Sequence, residues 1–163
     1  MPDPSTEPDL LDDQRITAIG LLVEAETAVV RVLDEELRRE VGMPLSTYET
    51  LIRLGRSPDR QLRQIELSRQ LSLTTGGVTR LIDRLETAGL VRRTSCPDDR
   101  RASYAQLTET GLEALRRATE VHLQSLQRHL VDPLGADGLA ALIGPLRLLR
   151  DTHRGDPTRA PKG

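Results

Sequence analysis

Aromatic residues are almost absent from this sequence. Its 163 residues include no tryptophan and no phenylalanine, and the two tyrosines are Tyr48 and Tyr104. Proteins that hold single-stranded nucleic acid stack its bases on aromatic rings, so this scarcity argues against that class of function. The core must instead be built from leucine, isoleucine, valine and alanine, which is common in helical bundles.

Three further absences narrow the class of protein. Cysteine occurs once, at Cys96, which excludes a disulfide framework within one chain and a metal site made of several cysteines. No apolar run approaches the ~20 residues that span a bilayer, and residues 1–10 are acidic and proline-rich, unlike a signal peptide. The sequence has no glycine-rich phosphate loop, no nucleophile elbow and no pair of metal ligands at helical spacing. We therefore expect a cytoplasmic protein that is not an enzyme, with no cofactor, no metal and no membrane partner.

The formal net charge of −2 conceals an uneven distribution of charge. Residues 1–52 carry 12 acidic and 4 basic side chains, residues 53–101 carry 6 and 11, and residues 102–163 carry 7 and 8. All 11 bases of the middle block are arginines, whose planar guanidinium suits phosphates and guanine edges. This block indicates a phosphate-binding surface, although a GC-rich genome would explain the preference for arginine equally well.

Apolar spacing predicts two helices before the basic block. Apolar residues three and four positions apart predict a long helix over residues 12–40 that ends at Gly42. Its outer face is acidic and unsuited to DNA, so we assign it to dimerisation. A second helix is expected from Pro44 to Leu54, opened by a capping box of Ser46 and Glu49.

Residues 62–107 have the order of a winged helix-turn-helix. The pattern is a brief strand, a short helix, a turn, a third helix and a β-hairpin with a charged tip. The expected ranges are residues 62–63, 65–71, 72–73, 75–88 and 90–107. Thr74 or Thr75 is the expected N-cap of the third helix.

Two more helices are expected after the hairpin. Thr108 should cap a long helix that runs to about Leu130 and is broken at residues 133–135. The last helix, residues 137–150, should bury five apolar side chains and be kinked or broken at Gly144-Pro145. The five are Leu139, Leu142, Ile143, Leu146 and Leu149.

These elements predict a mainly α-helical protein with a small β-hairpin wing. A winged helix-turn-helix would be flanked by N- and C-terminal dimerisation helices. The length suits one domain over residues 11–150, with disordered tails at residues 1–10 and 151–163.

The outer face of the third helix carries the candidates for contact with DNA. Those for base edges are Thr75, Thr79 and Arg80, and those for phosphates are Arg84 and the backbone of Gly76 and Gly77. Two glycines in a first helical turn cost roughly 1 kcal/mol each relative to alanine, which close approach of the backbone to DNA would offset.

In an alternative interpretation, this face of the third helix does not contact DNA. Arg80 and Arg84 would then pair with Asp83 or Glu86 on the helix surface. Three more arginines flank the module, at positions 63, 92 and 93. They are either phosphate contacts or exposed charges, and of the three we include only Arg63 among the phosphate candidates.

Three motifs stand in the order helix, strand, wing. They read LIDRLE at residues 81–86, AGLVRR at residues 88–93 and PDDRR at residues 97–101, and Leu107-Thr108 with Gly111 follows. The chain resembles, from about residue 12 to residue 150, the MarR family, the multiple-antibiotic-resistance type of bacterial regulator. The most specific feature is an Asp-x-Arg wing with Leu-Thr six residues later. The chain departs from the family at Ile65, where a Ser or Thr cap is common, at Gly76-Gly77 and at Gly144-Pro145.

The resemblance implies a particular assembly and a particular wing contact. It implies a homodimer joined through residues 11–42 and 108–150, with the lobe at residues 44–107 on a pseudo-palindromic operator. Arg101 would enter the minor groove of double-stranded DNA and Asp99 would orient it through an ion pair, while Arg100 would contact phosphate. Members of the family usually repress until a small aromatic or phenolic ligand releases them.

We therefore predict a sequence-specific DNA-binding regulator, most simply a homodimeric repressor. The alternative is a winged-helix module that docks on protein without specific DNA binding. Salt separates the two, because DNA binding weakens steeply with ionic strength.

Cys96 and His122 are the candidates for a sensing role. Members of the family that sense through cysteine carry it near the start of the first helix, so the resemblance implies that Cys96 is incidental. We expect His122 to be a hydrogen-bonded interface residue, with a place in a ligand pocket as the alternative.

Overall fold

Six α-helices and one small sheet dominate the part of the chain that the structure describes. The structure is a computed structural model, and it describes residues 10–95 and 103–153. The helices are α1 (Gln14–Val41), α2 (Leu45–Gly55), α3 (Gln64–Leu71), α4 (Thr75–Thr87), α5 (Glu109–Leu126) and α6 (Asp132–His153). The strands are β1 (Gln61–Arg63), β2 (Val91–Ser95) and β3 (Ser103–Leu107). The prediction of a mainly helical protein with a small β wing is confirmed.

Helix α1 forms where the apolar spacing predicts it. The Asp13 carboxylate caps its start by accepting a hydrogen bond from the backbone N–H of Arg15 at 2.8 Å. Gly42 follows its last turn with a φ of 66°, a left-handed conformation that glycine adopts without strain. Leu33 and Leu37 in its second half are buried in this chain.

The capping box predicted for α2 is wrong. Pro44 occupies the N-cap position without a side-chain hydrogen bond, and Ser46 already lies inside the helix. The backbone N–H of Leu45 instead donates to the Asp34 carboxylate of α1 at 2.7 Å. An ion pair with Arg38 and this hydrogen bond lower the pKa of Asp34. The acceptor at the start of α2 is therefore a carboxylate of another helix and not a side chain of α2 itself.

Helices α3 and α4 form the predicted helix-turn-helix. Ser72 ends α3 in a left-handed conformation with a φ of 53°. The N-cap of α4 is Thr74, whose hydroxyl accepts a hydrogen bond from the backbone N–H of Gly77 at 3.1 Å. The geometry places the Gly76-Gly77 pair in the first turn of α4.

The sheet is antiparallel with the strand order β1-β3-β2. Ser95 opposes Ser103 at the end nearest the hairpin tip, which we name the tip end, and Val91 opposes Leu107 at the other end, the base end. Arg63 of β1 opposes Tyr104 of β3, one position from the tip end. Residues 96–102 lie outside the described residues.

Thr108 fastens α5 to the base of the wing. Its hydroxyl accepts from the backbone N–H of Gly111 at 2.9 Å and donates to the carbonyl of Gly89 at 2.7 Å. A Cβ at position 111 would lie 2.0 Å from the carbonyl oxygen of Leu90. Only glycine therefore allows α5 to begin so close to the chain that enters β2.

The core lies where α2, α3, α4 and the sheet meet, and it extends to the second half of α1 and to α5. Fully buried aliphatic side chains include Leu37, Leu51, Leu54, Leu67, Ile82 and Ala118. Tyr48, at 7% exposure, adds an aromatic ring. The predicted aliphatic core is confirmed.

The C-terminal helices differ from the prediction in where they are interrupted. Helix α5 passes through a π-helical turn at Gln127–Val131 into α6, and the backbone leaves helical geometry at Gly135. The interruption predicted at Gly144-Pro145 is wrong, because both residues keep helical backbone angles. Pro145 has no N–H to donate to the carbonyl of Ala141. Both residues are exposed, so water can donate a hydrogen bond to that carbonyl instead. Helix α6 continues to His153, three residues into the segment predicted as a tail.

The predicted burial of α6 is also wrong for a single chain. Ile143, Leu146 and Leu149 are each at least 40% exposed, and α6 contributes no buried residue. Ile16 and Ile19, in the first half of α1, are exposed as well. An apolar stripe marks a face that avoids water, but it does not say which chain covers that face.

Candidate nucleic-acid interface

Helix α4 divides cleanly into a buried face and an exposed face. Val78, Leu81, Ile82 and Leu85 are buried in the core, as predicted. The exposed residues include Thr75, Gly76, Thr79, Arg80 and Arg84, while Gly77 is half-buried. Five of the six residues proposed for DNA contact on α4 therefore lie on its solvent face.

Arg80 and Arg84 are not neutralised within the described residues. Neither forms an ion pair there, so the alternative in which they pair with Asp83 or Glu86 is not what the structure has. Both carboxylates bind Arg93 instead. Among the described residues, these two arginines of the exposed face of α4 therefore have no acidic partner.

Arg93 was not among the predicted site residues, yet it organises this surface. Its guanidinium binds Asp83 at 2.5 Å and Glu86 at 2.6 Å, and its backbone N–H donates to Glu86 at 2.9 Å. The hydrogen bond to Asp83 is the main cause of a raised pKa at Arg93, and Glu86 adds to it. The sequence did contain a signal for this role, because Asp83 and Glu86 lie three residues apart on α4 and one basic side chain can pair with both.

Gly76 and Gly77 lie in the first turn of α4, where backbone N–H groups have no partner within the helix, and the N–H of Gly77 donates to the Thr74 hydroxyl. An added Cβ at Gly76 would meet nothing within 4 Å. At Gly77 it would lie 3.2 Å from the Thr74 hydroxyl that caps the helix. Gly76 is therefore not required by packing within this chain, whereas Gly77 sits close to the cap.

Arg63 lies beside the helix-turn-helix, at the N-cap of α3. Its Nε donates to the hydroxyl of Tyr104 at 2.9 Å, and its guanidinium carbon is 5.6 Å from the centre of the Tyr104 ring. Tyr104 was not predicted as a site residue. Its register opposite Arg63 depends on the pairing of β1 with β3, which the sequence pattern did not predict.

The proposed wing residues Asp99, Arg100 and Arg101 lie outside the described residues, and so does Cys96. Their proposed roles stay predictions. The strands on either side of these residues are described: β2 ends at Ser95 and β3 begins at Ser103, one register position from the pair Arg63 and Tyr104.

His122 contacts α2 within its own chain. Its ring centre lies 4.5 Å from that of Tyr48, and Nδ1 is buried with no hydrogen-bond partner among residues 10–95 and 103–153. Burial lowers the pKa of His122. Within the single chain, His122 packs against an aromatic ring, and the expectation of a hydrogen-bonded interface histidine, which involves a second chain, stays a prediction.

Two other classes of site are absent from the described ranges. No helix there combines the length and the apolar character needed to cross a membrane. No group of three or more His, Cys, Asp or Glu side chains there is placed to hold a metal ion.

Comparison with known proteins gives the family. The sequence model of the MarR family matches residues 41–102, which contain the helix-turn-helix and the first part of the wing. The HTH-type transcriptional regulator PrsX of Escherichia coli is 36% identical over 78 residues, which are 48% of this chain. That match spans about half the length of the curated relative, 47%.

Solved structures extend the likeness over nearly the whole chain. AbsC, a MarR family transcriptional regulator from Streptomyces coelicolor, is 30% identical with a TM-score of 0.80, and the match covers 88% of this chain and 97% of AbsC. Sco3205, a MarR family transcriptional regulator of the same organism solved in complex with DNA, is 32% identical with a TM-score of 0.78 over 85% of this chain and 90% of its own. Sequence identity at this level, over almost all of both relatives, shows that the chain belongs to the MarR family of transcriptional regulators.

Proposed function

We propose that this protein binds double-stranded DNA sequence-specifically as a homodimer and represses transcription from a pseudo-palindromic operator. Residues 44–107 are the DNA-binding lobe, and residues 11–42 together with 108–150 are the dimerisation region. Two α4 helices enter successive major grooves on one face of the duplex, about 34 Å apart. The DNA complex of Sco3205 supports this proposal as an analogy with a relative.

One observation carries the proposal. Asp83 and Glu86 both pair with Arg93, so neither carboxylate pairs with Arg80 or Arg84 on the exposed face of α4. Arg80 is assigned to a guanine edge, with Thr75 and Thr79 beside it. Arg84, Arg63 and the backbone of Gly76 and Gly77 are assigned to phosphates. In the wing, Arg101 is assigned to the minor groove, Asp99 to its orientation and Arg100 to a phosphate.

The proposal includes release by a small aromatic or phenolic ligand. A ligand that changes the spacing of the two lobes would prevent both from binding at once, and the loss of bivalency would lower the affinity. The contact of Tyr48 with His122 joins α2 of the lobe to α5 of the dimerisation region, so a ligand there would act on that spacing. A ligand that binds without changing the affinity for DNA would refute this part of the proposal.

The test is fluorescence anisotropy of the purified protein on the DNA just upstream of its own gene, with salt titration and scrambled duplex as competitor. Tight binding that survives the competitor and weakens steeply with salt supports a sequence-specific regulator. If scrambled duplex removes the protein equally well, a duplex selected from a random pool replaces the upstream DNA. Failure with both would favour a winged helix that docks on protein.

A further inference from the structure

Glu36 of α1 binds the end of α5 and the π-helical turn that follows it. Its carboxylate accepts hydrogen bonds from the hydroxyl of Ser125, from the guanidinium of Arg128 at 2.7 Å and from Nε2 of His129 at 3.0 Å. Ser125 lies in the last turn of α5, and the other two donors lie in the π-helical turn. Their spacing of three and four residues puts all three donors on one side of the helical segment. One side chain therefore holds a segment that follows it in the sequence by 89 to 93 residues.

Apolar packing does little to position this segment within a single chain. Neither the π-helical turn nor α6 contributes a buried residue. The Glu36 side chain is only 11% exposed, and Ser125 is fully buried. Helices are normally positioned by the interdigitation of their buried side chains. Where that packing is missing, the hydrogen bonds to Glu36 are left to fix the segment.

The π-helical turn sets the direction in which α6 begins. Such turns are rare and occur frequently at functional sites. An added residue changes the facing of the chain that follows by about 100°. Beyond a second bend at Gly135, α6 carries the exposed side chains Ile143, Leu146 and Leu149, which we name the α6 stripe. The direction of the α6 stripe therefore depends on how firmly the turn is held.

We propose that Glu36 is a positioning residue of the dimer interface, which holds the π-helical turn so that the α6 stripe faces a second copy of this chain. The inference rests on the proposed homodimer. It adds a residue that lies outside the α6 stripe and acts through the turn. A carboxylate with three donors is suited to this task, because each hydrogen bond requires a set distance and angle. A stripe that already points in one direction loses less freedom when the partner binds.

Asp34, two residues before Glu36 on the same helix, offers a matched control. Its carboxylate binds Arg38 at 2.6 Å and accepts from the backbone N–H of Leu45 at 2.7 Å. These contacts join α1 to the start of α2, whereas those of Glu36 join α1 to the π-helical turn. Asp34→Asn should therefore destabilise the chain without changing the direction of α6.

The first experiment measures the dissociation constant of the dimer by sedimentation equilibrium at pH 7 on the full chain. The wild type is compared with Glu36→Gln, Arg128→Ala and Asp34→Asn. Glu36→Gln should raise the constant about tenfold or more, because both chains of the dimer lose charge-assisted hydrogen bonds. Arg128→Ala removes one donor from a side chain that is 51% exposed, and it should raise the constant about two- to fivefold. Asp34→Asn should leave it unchanged.

A second experiment follows the direction of α6 itself, which a loss of stability alone would not change. Nitroxide labels are attached at Ala28→Cys and Leu148→Cys in a chain that also carries Cys96→Ser. Both label sites are exposed, on the sides of α1 and α6 away from their apolar stripes. Labelled chains are diluted with unlabelled ones, so that each dimer holds one labelled chain. Double electron–electron resonance should give the same narrow distance distribution for the wild type and Asp34→Asn, and a broader or shifted one for Glu36→Gln.

The outcomes separate the inference from the proposed dimer. Two results would overturn the inference and leave the dimer intact. One is a dissociation constant that rises as much in Asp34→Asn as in Glu36→Gln, and the other is a wild-type distance distribution in Glu36→Gln. If Glu36→Gln does not fold, Arg128→Ala replaces it in both measurements, and wild-type values there would overturn the inference. A wild-type protein that stays monomeric at every concentration would overturn the proposed dimer, and the inference with it.

Discussion

Arg93 and Asp83 meet across the junction between the wing and α4, with 2.5 Å between guanidinium Nη2 and carboxylate Oδ1. Glu86 accepts from the same guanidinium at 2.6 Å and from the backbone N–H of Arg93 at 2.9 Å. These contacts join the first strand of the wing to the helix assigned to the major groove. One side chain thereby links the wing to the helix, and its single positive charge offsets one of the two negative charges on the surface proposed to face DNA.

Arg93→Ala should weaken DNA binding far more than it destabilises the fold. The groups of the pair are partly exposed, so we expect a loss of roughly 1 kcal/mol in the free energy of unfolding in urea. Binding should weaken about tenfold or more, because two carboxylates are left unpaired near phosphates. Arg92→Ala, one residue earlier on β2, is the control and should change neither quantity by much. Equal effects in the two variants would contradict this role of Arg93.

Gly76→Ala should stabilise the protein and impair its binding to DNA. The added Cβ meets no atom within 4 Å, and alanine is favoured over glycine in a helix by up to about 1 kcal/mol. We expect a higher midpoint in urea and affinity for DNA about tenfold lower, because the methyl group would separate the backbone from a phosphate.

Gly144→Ala is the matched control for Gly76→Ala. Gly144 is also a helical glycine with open space at Cβ, and it lies on the side of α6 opposite Leu142 and Leu149. It should raise stability and leave the affinity for DNA unchanged. If Gly76→Ala also left the affinity unchanged, the backbone of α4 would not approach DNA at this point.

The spacing of apolar residues was sufficient to predict a buried face wherever the core that covers the face belongs to the same chain. The inward face of α4, with Val78, Leu81, Ile82 and Leu85, follows from residue spacing alone because the core that buries it lies in the same chain. The end of α1 at Gly42 follows from local backbone preference. Elements with local causes could therefore be predicted residue by residue.

Features that depend on contacts between residues far apart in the sequence could not be predicted from residue spacing. The cap of α2 is Asp34, which lies 11 residues from the N–H that it accepts. The contacts of Arg93 depend on how β2 returns beside α4, and the contact of Tyr104 with Arg63 depends on strand register. The apolar stripe of α6 is exposed in the single chain and would be covered only in the proposed dimer. Pairing across elements and between chains leaves no periodic signal in the sequence.

Arg80→Ala and Arg84→Ala should impair DNA binding in different ways. Loss of a base contact at Arg80 should cost about 1–3 kcal/mol on the best operator and reduce discrimination at one base pair. Loss of a phosphate contact at Arg84 should weaken all duplexes alike and lower the salt slope by about 1 per chain. Competition with a set of singly substituted duplexes, at two salt concentrations, separates the two. Identical profiles for the two variants would refute the assignment.

Ile19→Glu should shift the protein from dimer to monomer. Ile19 is 57% exposed in the single chain and lies on the same stripe of α1 as Ile16 and Val23, so a charge there would be buried in the proposed dimer. Leu21→Glu is the control, because Leu21 is 61% exposed but lies about 200° around the helix from Ile19. Sedimentation velocity should find monomer at micromolar concentration for Ile19→Glu alone. Dimers in both variants would place the interface elsewhere.

A buried carboxylate joins α1 to the end of α5. The side chain of Glu36 is only 11% exposed, and it accepts hydrogen bonds from the Ser125 hydroxyl, from Arg128 at 2.7 Å and from His129 at 3.0 Å. The hydrogen bond from Ser125, then that from His129 and the contacts of Arg128, lower the pKa of Glu36 to about 2. This cluster lies where α5 passes into the π-helical turn before α6.

The stabilisation by Glu36 should be present at neutral pH and lost in acid. An unfolded glutamate titrates near a pKa of about 4.3. Since the folded pKa is lower, about 2, stabilisation is complete above about pH 5 and declines as the pH falls toward 2.

Glu36→Gln should therefore be less stable than the wild type by roughly 1–3 kcal/mol at pH 7, with a difference that narrows steadily below pH 5. Urea unfolding at one fixed protein concentration makes the variants comparable, because the stability of a dimer depends on concentration. Glu120→Gln, which removes an exposed carboxylate from α5, should follow the wild type throughout. A deficit in Glu36→Gln that stayed constant from pH 7 to pH 3 would mean that the glutamate acts through shape and not through its charge.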